Sequence, residues 1–254
     1  MIMLPDAVVV AIPAHDEEDL LEACLHSVRA ALDAVGVRVA VTAACVALDR
    51  CTDRSLEIVR MLGVPAVELN SGAVGAARDA ALAGALARLS ESASPLPLDR
   101  IWTAHTDADS VVPQNWLTHQ LDLAAAGAEV VVGTVQPRFD DLDDEQLLAW
   151  HATHSPVVAN GAVHGANLGI RADVLERADG FRALPVHEDV LMVERARAIG
   201  ARVAASDGAR VLTSGRSVGR APDGYARYLR DEMLRDPRAV AARRTDLLAV
   251  ESGF

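Results

Sequence analysis

Ile101-Trp102-Thr103-Ala104-His105-Thr106-Asp107-Ala108-Asp109 is the stretch on which the fold turns. An apolar run beginning at Arg100 and ending at Ala104 predicts a buried strand, and two aspartates one residue apart mark the loop at its carboxyl end. Ligands of open parallel sheets collect at that end, where loops and helix N-termini meet. A D-x-D pair there can aim one carboxylate at a divalent ion and the other at a ribose hydroxyl or a second coordination position. Hard oxygen ligands favour Mn2+ or Mg2+. The plainer reading is an acidic loop that caps the next helix, expected over Pro113–Ala126.

Upstream, strand and helix patterns alternate. Strands are expected at Ala7–Ile12, Val37–Ala47 and Val64–Leu69, and helices at Asp19–Val35, Ser55–Leu62 and Gly72–Leu89, with Ser90–Pro97 as a loop. Downstream comes a strand at Glu129–Val135, after which the alternation weakens. Asp140–Asp144 opens a helical stretch through His151, Gly161–Gly169 is glycine-rich, and Arg171–Arg177 is helical again. A change of role is expected near Pro137: residues 1–136 as the nucleotide-binding half, residues 137–254 as a half that completes the site on the same sheet. The segment from Tyr225 to Leu248 is expected to be helical and to dock on its own domain or on a second subunit, which leaves a homo-oligomer open.

Composition agrees with an α/β class. Apolar residues make up 51% of the 254 and aromatics 3%, so the core is built from Ala, Val, Leu and Ile, as in a parallel sheet covered by helices. The net charge of −12, with no basic stripe, argues against nucleic-acid binding. All 24 basic side chains are Arg, which removes a lysine nucleophile and a P-loop lysine. Cys24, Cys45 and Cys51 form no C-x-x-C pair and leave an odd count, against a zinc site and a disulfide framework; a reducing cytoplasm is the expected setting. Asp6 interrupts the short apolar start, and no apolar run approaches the roughly 20 residues that span a bilayer, so neither a signal peptide nor a transmembrane segment is expected. His151, His154 and His164 lack further ligands at suitable spacing and are read as structural or acceptor-side.

The motifs fall in a recognisable order. Ile12-Pro13-Ala14-His15-Asp16-Glu17-Glu18, then Ala47-Leu48-Asp49-Arg50-Cys51-Thr52-Asp53, Gly75-Ala76-Ala77-Arg78, Asp107-Ala108-Asp109, Gly165-Ala166-Asn167-Leu168-Gly169-Ile170-Arg171 and His187-Glu188-Asp189 together resemble the GT-A glycosyltransferases of family 2, from about Val8 to about Arg220. The resemblance implies a Rossmann-like three-layer α/β sandwich with a mostly parallel central sheet. It also implies transfer of a sugar from a UDP- or GDP-linked donor to an acceptor that the sequence does not identify.

Residue by residue, the resemblance implies that Pro13, Ala14, His15, Glu17 and Asp49 frame the donor, with the Asp49 carboxylate accepting from a base N–H; His15 stands where the family usually has an aromatic ring. Gly75 and Arg78 fall near the donor phosphates, and Thr106, Asp107 and Asp109 form the donor and metal motif, with Asp107 and Asp109 as metal ligands. Gly165, Ala166, Asn167 and His187 face the acceptor. Asp189 is the expected general base, with Glu188 orienting the acceptor or a neighbouring arginine, and Arg216 is a candidate lid residue over the diphosphate. Retaining relatives use a histidine downstream of the acidic motif, and none follows His187, which favours inversion. Plainer readings stand beside these: Asp49 as a loop carboxylate, Arg78 as a solvated helix charge paired with Asp79 or Glu68, and Glu188-Asp189 as a helix-capping pair. A sugar nucleotidyltransferase and a non-catalytic binding protein on the same fold are the rival classes. The first normally carries a glycine-rich basic loop where this chain has Ala14-His15-Asp16-Glu17.

Overall fold

The computed structural model describes residues 4–92, 95–154, 159, 161–220 and 224–240. In chain order the main elements are β1 (Ala7–Ala14), α1 (Leu21–Val35), β2 (Val41–Asp49), α2 (Ser55–Met61), β3 (Ala66–Leu69), α3 (Val74–Ser92) and β4 (Ile101–His105). They continue with α4 (Trp116–Ala125), β5 (Val130–Pro137), α5 (Asp144–Thr153), β6 (Leu168–Arg171), α6 (Ala172–Arg177), α7 (Glu188–Ala198) and β7 (Val203–Thr213). The chain forms two compact units, residues 1–136 with 159–213, and residues 137–158 with 214–254.

The first unit carries a seven-stranded sheet in the order β3-β2-β1-β4-β6-β5-β7. β1 runs parallel to β2 and β4, and β2 parallel to β3, whereas β6 is antiparallel to both β4 and β5. Every residue of β1 is buried, as expected of a Val-rich strand covered on both faces. Pro13 sits beyond Ala11, the last β1 residue paired with β4, so its missing N–H breaks no ladder on that side. Small residues of α3, among them Ala77, Ala81 and Ala85, join Val9, Ala11, Cys45 and Ala47 in the core, letting that helix lie close to the sheet. The two fully buried indoles are each satisfied: Trp102 donates to Gln120 at 2.8 Å and Trp116 to Asn167 at 2.9 Å.

Several boundaries differ from the sequence reading. The second strand starts at Val41, not Val37, because Val37 is 92% exposed in the turn after α1. The third helix runs on to Ser92, into the expected loop. The glycine-rich stretch hides β6, a four-residue strand whose slot between β4 and β5, not its composition, makes it extended.

In the second unit, α5 begins with a capping box: Asp143 accepts from the Gln146 amide at 2.8 Å and Gln146 accepts from the Asp143 amide at 3.1 Å. Ala149 and Trp150 pack with Leu229, Met233 and Ala239. Instead of one regular helix from Tyr225, a single turn at Tyr225–Arg227 leads into a π-helix at Tyr228–Glu232 and a 3-10 turn at Met233–Arg235; residues 241–248 lie outside the described residues.

Candidate active site

At the carboxyl end of β4 the Ser110 amide donates to the Asp107 carbonyl at 3.1 Å and closes the acidic turn. The buried Cys24 thiol also donates to that carbonyl, at 3.4 Å; burial, with Asp109 and Asp107 nearby, raises its pKa and keeps it protonated. Asp109 Oδ1 accepts from the hydroxyls of Ser110 at 3.2 Å and Thr213 at 3.3 Å, which are themselves 2.9 Å apart. The end of β7 thus braces the acidic loop after β4.

Arg78 is the hub. Its side chain is 2% exposed, unlike the solvated helix charge of the plainer reading. Nη2 donates to Asp107 at 2.7 Å, Nε to Glu188 at 3.0 Å and Nη1 to the Gly165 carbonyl at 3.0 Å. The guanidinium also lies 5.8 Å from the Phe181 ring centroid. Burial opposes its charge, but Asp107, Glu188 and Asp189 outweigh that and hold its pKa above the ordinary arginine value. Glu188, equally buried, is pushed above the usual carboxylate range by desolvation, against the pull of Arg78.

Asp189 stands in the first turn of α7. One carboxylate oxygen accepts from the Val190 amide at 2.8 Å and the other from the Gly165 amide. Gly165 therefore joins Asp189 through its N–H to Arg78 through its C=O, and Arg78 joins both to Asp107. Each Asp189 oxygen keeps a second lone pair for a proton. His187, the residue before α7, is exposed with a left-handed backbone at φ 61°.

The ends of β1 and β2 form the other side. Pro13 and Ala14 are buried, and His15 Nδ1 pairs with the Asp49 carbonyl at 2.7 Å. Glu17 is 6% exposed, and its amide donates to Ser55 Oγ at 3.1 Å. The Asp49 carboxylate accepts from the Ser71 amide and hydroxyl, both at 2.7 Å, and from the amides of Gly72 and Ala73 at 2.9 and 3.2 Å. Four donors match the roughly four lone-pair positions of a carboxylate, so a base N–H would have to compete with the loop before α3. These bonds overcome desolvation and lower the pKa of Asp49.

Other expected site residues take on framework contacts. A side-chain carbon at Gly75 would lie 1.8 Å from the Arg182 carbonyl oxygen, so Gly75 lets α3 meet the loop before α7. Asn167 is turned into the core at 2% exposure: it accepts from Trp116 and donates to the carbonyls of Thr134 and Ala209, both at 2.8 Å, which corrects its expected place on an acceptor face. Its two amide hydrogens are spent on that framework. Ala166 is likewise buried. Arg216 belongs to the second unit, where its amide donates to Ser214 Oγ at 3.3 Å. His154 stacks on Trp150 at 3.5 Å and His151 meets Phe139 edge-on, the structural reading for both.

Two histidines gain a place that their spacing did not announce. His105 is wholly buried against Phe181, with Nε2 3.0 Å from Thr103 Oγ1; burial and then Arg78 depress its pKa, so it is neutral. His105 Nδ1 and Thr106 Oγ1 have no hydrogen-bond partner among the described residues. His164 lies close enough to Asp189 and Asp107 to feel both charges, though burial depresses its pKa overall. Its position directly before Gly165 was the available sequence signal.

Among the described residues, Asp16, Cys51 and Asp53 bring one potential ligand atom each within 4.8 Å of one another. Asp16 already accepts from the Thr52 amide at 2.7 Å, Asp53 from those of Glu18 and Ser55 at 2.8 and 2.9 Å, and burial raises the pKa of Cys51, whose thiol donates to Ala14. A protonated thiol beside such occupied carboxylates suits a hard ion poorly. Asp107 and Asp109 fit better as a donor set: both are hard carboxylates, each half-buried, and they stand together at the carboxyl edge of the sheet.

A mostly parallel sheet with an acidic pair at the carboxyl end of a central strand is an α/β architecture that gathers its polar loops at one edge. Residues 9–171 match the profile of Glycosyl transferase family 2, and the chain belongs to that family. Similar solved structures include S. aureus TarS 1-349 in complex with UDP-GlcNAc, with a TM-score of 0.60 at 18% identity, covering 93% of this chain and 69% of that one. Another is the mannosyltransferase PcManGT from Pyrobaculum calidifontis in complex with GDP-Man and Mn2+, with a TM-score of 0.52 at 18% identity, covering 99% of this chain and 76% of that one. A longer S. aureus TarS structure matches with a TM-score of 0.57 at 18% identity over 82% of this chain, which spans 36% of it. A search of curated proteins finds no match. At these identities the likenesses establish the GT-A fold. No helix among the described residues is long and apolar enough to cross a membrane.

Proposed function

We propose that the chain transfers a sugar from a UDP- or GDP-linked donor to an acceptor hydroxyl, by single displacement with inversion. The observation that carries this reading is the buried Arg78, which bonds Asp107 of the acidic loop, Glu188, and the Gly165 carbonyl whose own amide holds Asp189. One cation thereby sets the donor-side carboxylate and the candidate base in a fixed relation.

In this reading Asp109 and Asp107 hold Mn2+ or Mg2+. When bound, the ion supplies positive charge to the diphosphate leaving group. Asp189 takes the proton of the attacking hydroxyl on a free lone pair, while the Gly165 and Val190 amides keep its carboxylate oriented. Glu188 orients Arg78. Pro13, Ala14 and His15 close the donor side beside Asp49, and His164 and His187 flank the acceptor approach.

The test is calorimetric titration with UDP and GDP, each with Mn2+ or EDTA, on the wild type, Asp109→Asn and Asp189→Asn, followed by turnover with donor and acceptor panels. Metal-dependent nucleotide binding should be lost in Asp109→Asn. Asp189→Asn should retain binding and lose turnover by about 100-fold or more, the scale of a missing general base. Near-normal turnover in Asp189→Asn removes the base assignment, and pyrophosphate release from a nucleoside triphosphate and a sugar phosphate replaces sugar transfer by nucleotidyl transfer.

A further inference from the structure

We propose that Arg50 and Glu68 select a guanine nucleotide as the donor, an inference that rests on the sugar-transfer reading and deepens it. Beyond the carboxyl ends of β2 and β3 lies a cavity of about 170 Å³, lined by Leu48, Leu56 and Leu69 and, on its polar side, by Cys51, Thr52 and Asp53 with Arg50 and Glu68. The three leucines offer flat apolar surface to a base, and the polar side chains that make up the rest of the lining offer hydrogen bonds.

Arg50 is the unusual member. Its backbone is left-handed at φ 58°, a conformation that glycine or asparagine adopts more readily. Its side chain lies directly against Gly72: a carbon built there would fall 2.2 Å from Arg50 Nη1. The amide donates to the Leu69 carbonyl at 3.0 Å, but among the described residues the guanidinium meets no acceptor. Strain at a residue whose charged head is exposed, unpaired and on a cavity wall marks a ligand contact more naturally than a structural one. Glu68 is 65% exposed, and its nearest cation, Arg60, stands at 3.8 Å, beyond hydrogen-bond length.

The two side chains offer a planar fork of donors and a carboxylate with open lone pairs. Guanine presents O6 and N7 as adjacent acceptors, which a guanidinium meets in bidentate fashion, and N1–H with its 2-amino group as donors for a carboxylate. Uracil separates its two carbonyls by N3–H, and adenine sets a donor beside N7, so neither matches the fork. The Asp49 carboxylate is filled by four donors of its own loop, which leaves base recognition at this edge to Arg50 and Glu68.

The test is calorimetric titration of the full chain with GDP, IDP and UDP in Mn2+, on the wild type, Arg50→Gly and Glu68→Gln. Glycine accepts the left-handed backbone, so Arg50→Gly keeps the turn. GDP should bind at least about tenfold more tightly than UDP, and Arg50→Gly should erase roughly that factor in the GDP-to-UDP ratio. IDP lacks the 2-amino group and should bind more weakly than GDP, with the gap closing in Glu68→Gln. UDP binding as tightly as GDP, or a GDP-to-UDP ratio unchanged by Arg50→Gly, overturns guanine selection and leaves sugar transfer standing. Binding of neither nucleotide to the wild type overturns both.

Discussion

Replacing Arg78 by methionine keeps most of the side chain's length and removes its charge. The loss falls on three acceptors: Glu188, 4% exposed, the buried Gly165 carbonyl, and Asp107, 35% exposed. Breaking a buried ion pair by deleting one partner costs about 3–5 kcal/mol, because the remaining charge is stranded. Asp107 retains access to water, so the expectation is set by Glu188 and lies near the lower end, about 3 kcal/mol at neutral pH. Glu188 also gives the loss a pH signature. Its folded pKa is already raised, and without Arg78 it rises further. A carboxyl with a raised folded pKa is accommodated best when protonated, so the variant loses stability as pH climbs from the unfolded value of 4.5 through the folded one. The deficit of Arg78→Met should therefore be larger at about pH 8 than at about pH 5. Urea denaturation at both pH values, with Glu188→Gln and the double variant, measures the coupling. The double variant should recover part of the loss, since no buried charge is left at Glu188. A deficit below about 1 kcal/mol, the range of a surface pair, would refute the hub.

Asp49→Ala removes the acceptor for four donors before α3 and should cost about 1–2 kcal/mol at neutral pH. The Asp49 pKa is lowered, so its contribution is full above the unfolded value of 3.8 and fades as pH falls through the folded one; the gap between wild type and variant in urea titrations should shrink only below about pH 4. Gly75→Ala sets a methyl 1.8 Å from the Arg182 carbonyl oxygen, a backbone atom that cannot swing away, so thermal melting should show a loss of about 1–3 kcal/mol; an unchanged melting temperature would mean that the loop before α7 yields.

Part of the fold was legible because its signals are local. Val-rich β1, the D-x-D turn after β4 and the acidic start of α7 are each fixed by a few adjacent residues. What escaped depends on distant partners. β6 is extended because β4 and β5 flank it; its own Leu-Gly-Ile-Arg carries no alternation. Arg78 is singled out by its motif as a donor-side residue, but its bond to Glu188, 110 positions away at 3.0 Å, has no signal in the sequence around it. Asn167 carries a polar label that suggests a ligand, yet three backbone and indole partners fill its amide. Val37 is apolar and was drawn into a strand by its neighbours, though no surface covers it.

The span of the Arg78–Glu188 pair also orders events during synthesis. Contacts so remote in sequence carry a large loop-closure cost and form late. A nascent chain that has emerged as far as the acidic loop after β4 holds Asp107 but lacks both Gly165 and Glu188, so its Arg78 has one of its three acceptors. The N-terminal βαβ units can collapse at that stage, yet with a cation whose burial is not compensated. A truncated chain that stops short of α7 thus keeps Asp107 and Gly165 but lacks Glu188, the buried carboxylate that helps make a dry Arg78 tolerable.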